Sequence, residues 1–185
     1  MMVVPCFFES LLVDTKYSES SVRIRTEGHE WRIRACAYGR GGAFEVNVYL
    51  DGQWREDLSR GFGGLVRVAR VRLGTPFPVV AVREHSWCGH GQETWFYGFK
   101  GTRMWLMGQP PETGEGGGPV LYRGKPGWWL FDNWCYYTMS AALPTESPLT
   151  RSLYRIDKSG KLQFVRSWKA PFRKRLPDPT RISFY

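Results

Sequence analysis

Residues 21–36 read SVRIRTEGHEWRIRAC. Val22 and Ile24 alternate with Arg23 and Arg25, and Trp31, Ile33 and Ala35 alternate with Arg32 and Arg34. Successive side chains on a strand point to opposite faces. This spacing therefore predicts strands with one apolar face and one arginine-rich face. The same period runs through GLVRVARVRLG (64–74), with a phase slip at Ala69 that predicts a β-bulge. PVVAVRE (78–84) is continuously apolar up to Arg83, as expected of a strand buried on both faces. Helical spacing of apolar residues is almost absent. The fold class that follows is all-β, a single domain of antiparallel hairpins.

Three segments line up with one another: FEVNVYLDGQWREDL (44–58), TWFYGFKGTRMWLM (94–107) and RSLYRIDKSGKLQFVR (151–166). Each is an alternating strand, a tight turn with Gly52, Gly101 or Gly160, and a second strand with a large apolar residue. The stretch LYRIDKSGKL (153–162) resembles the hairpins of β-propeller-like, WG-type repeats. That resemblance covers about a third of the chain and implies blade-like units of roughly 40–60 residues. Three units are fewer than the four or more blades of an ordinary propeller. A small or incomplete propeller-like arrangement, in which the terminal strands could close the ring, stands beside a sandwich or barrel, in which tight hairpins look alike for local reasons.

The chain has 185 residues, 42% of them hydrophobic and 16% aromatic. That is enough apolar surface for a proper core, and it excludes general disorder. Net charge is +9, and residues 166–185 hold six basic residues against one acid. We therefore divide the chain into a β-rich domain, 1–168, and a basic C-terminal arm, 169–185. The apolar N-terminal stretch MMVVPCFFESLLVDTKY lacks a basic flank and is broken by Pro5, Glu9 and Ser10, so it reads as a strand or docking segment and not as a signal peptide. No stretch is long enough for a membrane span. The four cysteines are accordingly expected as reduced thiols in a cytoplasmic protein. Two Gly/Pro-rich stretches, 108–119 and 140–150, read as loops.

Catalytic motifs are missing. The glycine-rich stretches 39–42, 61–64 and 114–118 lack the Lys-Ser/Thr of a phosphate loop, and no G-x-S-x-G occurs. The expected function is therefore non-catalytic binding, with an unidentified ligand or protein partner held by aromatic-rich insertions on a β scaffold. His85, Trp87 and His90 come from HSWCGHGQETWFYGF (85–99), and Trp128, Trp129, Asp132 and Trp134 from GWWLFDNWCYY (127–137). Exposed rings at these positions would stack on a flat ligand.

Two alternatives carry their own residues. Nucleic-acid binding would use Arg166, Lys169, Arg173, Lys174 and Arg175 of the arm, with Trp168 and Phe172 interleaved, together with the arginine rows of 22–34 and 66–72. If those rows share one sheet face they form a basic platform. Zinc binding would use His85, Cys88 and His90, spaced H-x2-C-x-H, with Cys135 as a distant fourth ligand. Glu84 or Glu93 acting as base on a metal-bound water would make that site a hydrolase. His29, ahead of Glu30, is expected in a turn with a structural role.

Overall fold

The computed structural model describes residues 20–38, 43–85, 92–110, 120–123, 128–133, 149–170 and 179–180. Among these there is no α-helix. Fourteen strands and a 3-10 turn at Glu56–Leu58 form three antiparallel sheets.

The first sheet holds β1 (Ser20–Thr26), β2 (His29–Tyr38), β3 (Ala43–Leu50) and β4 (Gln53–Trp54), with β5 (Arg60–Phe62) pairing β3. The middle sheet is β6 (Leu65–Val71), β7 (Val79–His85), β8 (Gln92–Lys100) and β9 (Arg103–Gly108) in order. The last is β10 (Val120–Arg123), β11 (Trp128–Asn133), β12 (Leu149–Ile156) and β13 (Leu162–Ala170), with β14 (Pro179–Thr180) on the outer side of β10. Each sheet is thus an open meander of sequential strands. The hairpins aligned in the sequence join the third and fourth strands in all three.

The turns follow from backbone sterics. Asp51 and Gly52 have φ of 50° and 81°, and Glu27 and Gly28 have 48° and 84°. Two successive positive φ values define the type I′ turn, whose twist matches that of the flanking strands. The Glu27–Gly28 turn lies one residue before the site expected from His29, which instead starts β2. His29 Nδ1 and Asp51 Oδ2 are 2.7 Å apart, and Asp51 Oδ1 accepts the Glu30 N–H at 2.8 Å. These contacts tie the first two hairpin turns together. The Glu30 amide, then His29, holds the Asp51 carboxyl below the usual carboxylate range. In the last sheet, Asp157 accepts from the Ser159 hydroxyl, the Lys161 amide and the Gln163 side chain around the Gly160 turn.

The middle sheet is apolar on both faces. Val80, Val82, Trp95 and Phe99 meet Trp31, Ile33, Val46 and Val48 of the first sheet in one core. Val79, Ala81, Phe96 and Met107 meet Tyr154, with Ile156 and Leu162, in a second core against the last sheet. The continuous apolar run in β7 is thereby explained: Val79, Val80 and Ala81 are all fully buried. The bulge expected at Ala69 is absent, and the β6–β7 register is unbroken from Leu65–His85 to Val71–Val79. The phase slip has another cause. Val66 and Val68 enter the first core, while Ala69, Val71 and Leu73 enter the second, so the strand changes its buried face midway.

Two indole clasps join the sheets. Trp31 donates from Nε1 to the Gly101 carbonyl at 2.8 Å, and its ring meets Phe99 edge-on. Trp105 donates from Nε1 to the Gly160 carbonyl at 3.3 Å, and its ring meets Phe77 edge-on. In each case a tryptophan of one sheet holds the turn glycine of the next.

Lys169, placed at the start of the basic arm, falls inside β13, and Pro179–Thr180 pair with Tyr122 and Leu121 of β10. The chain therefore pairs with the sheet at Pro179–Thr180, within the segment expected as a basic arm.

Candidate functional site: the outer face of the first sheet

In β1, β2 and β3 the side chains that fill the first core alternate with those on the opposite, outer face. Directly opposed residues in an antiparallel pair share a face. Arg23 opposes Arg32, Arg32 opposes Tyr49, and Tyr49 opposes Trp54. These four residues form one row across four strands. A second row runs Arg25–Glu30, and a third Ser21–Arg34–Asn47. The arginine row of 22–34 does lie on a single sheet face.

The face is not uniformly open. Arg23, Arg25, Arg32 and Trp54 are exposed, Tyr49, Arg34 and Glu45 are half-buried, and Asn47 is buried beside Cys36. Charge on this face is unbalanced. Glu30 is paired with Arg25 at 3.1 Å, whereas Arg23 and Arg32 have no ion pair among the described residues. Two guanidinium groups directly opposite each other repel. Nothing in the first core requires them there.

Trp54 is held in place although 52% of it is exposed. Its Nε1 donates to Ser59 Oγ at 3.0 Å, and that hydroxyl donates to the Arg55 carbonyl and accepts the Val48 N–H. Ser59 thereby fixes the indole to the end of β3. Arg55 is itself engaged by Asp57, through two hydrogen bonds of 2.8–2.9 Å.

The second arginine row does not join this platform. Arg67, Arg70 and Arg72 belong to the middle-sheet segment, where Arg67 opposes Arg83, and Arg83 opposes Thr94. Arg67 is half-buried and Arg70 and Arg72 are exposed. On β13, Arg166 is exposed, and its guanidinium lies 5.2 Å above the Trp168 ring. Lys169 is exposed on the same strand. Arg173, Lys174 and Arg175 lie outside the described residues, as does Phe172.

The aromatic insertions are seen only in part. Trp87, Cys88, His90, Trp134 and Cys135 lie outside the described residues. The backbone places His85 at the end of β7, opposite Leu65 and Gln92. Trp128 and Trp129 are on β11, opposite Arg155 and Tyr154, and Asp132 opposes Val120 and Arg151. This part of the second aromatic insertion is thus a paired inner strand. Glu84 and Glu93 are directly opposed on β7 and β8. Glu84 accepts the Gly64 N–H and Glu93 accepts from Gln109, each at 2.9 Å.

The cavity between the first and middle sheets, reached by Arg60, Tyr97 and Met104, measures about 20 Å³. That is room for one water and not for an organic ligand. Burial raises the pKa of Tyr97 there, with Arg60 opposing the shift. No group of three metal-binding side chains occurs among the described residues, and no helix of the described residues is long and apolar enough to cross a membrane.

Sequence reasoning found the arginines of this face but overlooked Tyr49 and Trp54 as members of it. The missing signal was register: only the pairing Arg32–Tyr49–Trp54 brings residues of β2 and β4 into one row. Comparison with protein-family models, curated proteins and solved structures finds no match for this chain.

Proposed function

We propose that this chain is a binding protein for nucleic acid, and that it holds the phosphate backbone on the outer face of its first sheet. The observation that carries this reading is the exposed pair Arg23 and Arg32, set side by side with no ion pair to either among the described residues. Like charges in direct opposition cost stability unless an anion lies between them. A polyanion supplies such charge along its length and releases its own counterions on binding.

The same reading treats the three meanders as an incomplete, propeller-like stack. Two features support it: sequential four-strand order in each sheet, and face-to-face packing through the middle one. A further blade against the first sheet would have to bury Arg23 and Arg32 unpaired, at a cost of several kcal/mol for each ion, and the Arg25–Glu30 pair with them. Among the described residues nothing covers the arginine face, and the reading leaves it for a ligand.

The test is fluorescence anisotropy of a labelled oligonucleotide over a salt series. Affinity should fall linearly on a log–log plot, and Arg23→Ala with Arg32→Ala should each reduce the slope by about one. Affinity independent of salt, or a slope unchanged in the double variant, would remove the reading.

A further inference from the structure

We infer that the strand bound on this face is single-stranded, and that Trp54 stacks on one of its bases. The inference rests on the nucleic-acid reading above and names its ligand class. Three observations lead to it.

The first is shape. Duplex sequence is read by an element that enters a groove, an α-helix or a two-stranded ribbon. The face described here is the surface of a five-stranded sheet ending in a two-residue strand, and among the described residues no helix or separate two-stranded ribbon projects from it. An unpaired strand laid on a sheet exposes base faces that such a surface can meet.

The second is chemistry. Arg23 and Arg32 stand at one end of the row, and Tyr49 and Trp54 at the other. A phosphate backbone needs the first pair, and a base needs the second. Three inter-strand spacings separate Arg23 from Trp54, about 14 Å. At a rise of ~3.4 Å per stacked nucleotide, that distance is about four steps, from the first to the fifth nucleotide. A duplex keeps its base faces inside the stack and would leave the indole idle.

The third is preorganisation. Trp54 is among the most exposed large apolar side chains of the described residues, yet its N–H is satisfied by Ser59 Oγ at 3.0 Å. The ring is thus oriented before any ligand arrives, and its open face carries no unmet hydrogen bond. A stacking base loses little by covering it.

The experiment compares three labelled probes of equal length at low salt: oligothymidine, an abasic strand with the same phosphates, and a duplex. The wild-type protein should bind oligothymidine more tightly than the other two. Trp54→Ala should weaken oligothymidine binding roughly 5- to 150-fold, the range expected for loss of one base–aromatic stack. It should leave the abasic strand within about twofold. Trp54→Phe keeps a ring, loses the hydrogen bond to Ser59, and should retain most of the affinity. Circular dichroism of each variant confirms that the sheets persist. Equal weakening of the abasic and thymidine probes by Trp54→Ala, or no weakening of either, overturns the inference. So does a duplex bound as tightly as the single strand. In those cases salt-dependent binding survives and the phosphate reading stands. Failure of all three probes to bind at low salt instead removes both readings.

Discussion

Thr94 carries a local cost that the fold bears. It is 3% exposed on β8, opposite Arg83, and its hydroxyl has no hydrogen-bond partner among the described residues. A buried hydroxyl without a partner costs about 1–3 kcal/mol relative to a satisfied one. Valine has nearly the same shape and no polar atom. Thr94→Val should therefore raise stability by about 1 kcal/mol, an increase in Tm of roughly 2–4 °C for a chain of this size. Differential scanning calorimetry reads this directly, and a fall in Tm would mean that the hydroxyl has a partner in solution. Trp54 shows the other side of residue-scale reading. Its identity was plain in the hairpin 44–58, but its exposure was not. A two-residue strand is too short for alternation to assign a face, and the assignment needed the Tyr49–Trp54 register.

At the scale of elements, the turns separate two kinds of glycine. Gly52 and Gly160 have nearly equal φ, 81° and 80°. A Cβ at Gly52 would meet nothing within 4 Å, whereas one at Gly160 would lie 2.9 Å from Phe77 Cζ and 3.1 Å from Trp105 Cζ2. Those two rings already pack edge-on with centroids 4.8 Å apart, so neither can retreat alone. Gly52→Ala should cost about 1 kcal/mol, the strain of a left-handed alanine. Gly160→Ala should cost a further ~1–3 kcal/mol for overpacking. Urea midpoints of the two variants decide it, and equal losses would mean that the last sheet does not press its turn against the middle one. The three aligned hairpins were legible because a positive φ leaves a chemical mark, glycine after a polar residue. The phase slip at Ala69 was legible as a slip but misread in cause. A bulge and a change of buried face produce the same pattern in one strand, and only the positions of both neighbouring sheets distinguish them. The aromatic density around Trp128 and Trp129 exceeds what one strand face requires, and from the sequence alone it points to exposed rings on an insertion. Pairing on both sides, to β10 and β12, is a non-local fact that density does not reveal.

For the molecule as a whole, the middle sheet decides how the fold comes apart. Val79 and Val80 are adjacent and both fully buried, one in each core. Phe96 and Phe99 divide the same way on β8. Separating the last sheet from the middle one would bare Val79, Ala81 and Phe96 to water while their own strands remained folded. Separating the first would bare Val80, Val82 and Phe99. Each separation exposes that apolar surface at about 25 cal/mol per Å², while the strands that carry it stay ordered and release no chain entropy of their own. Unfolding of the stack should therefore be a single transition. Phe96→Ala and Phe99→Ala should each cost about 3–5 kcal/mol, and each should shift the whole transition. Far-UV circular dichroism and tryptophan fluorescence, followed together on heating, should give coincident curves in both variants. Two separated transitions, with Phe96→Ala moving only one of them, would show that the second core is a satellite and that the first and middle sheets form the stable unit. The indole clasps argue for the coincident result. Each fixes a turn of one sheet to a ring of another, so the loss of either core also releases a carbonyl that the other side had satisfied.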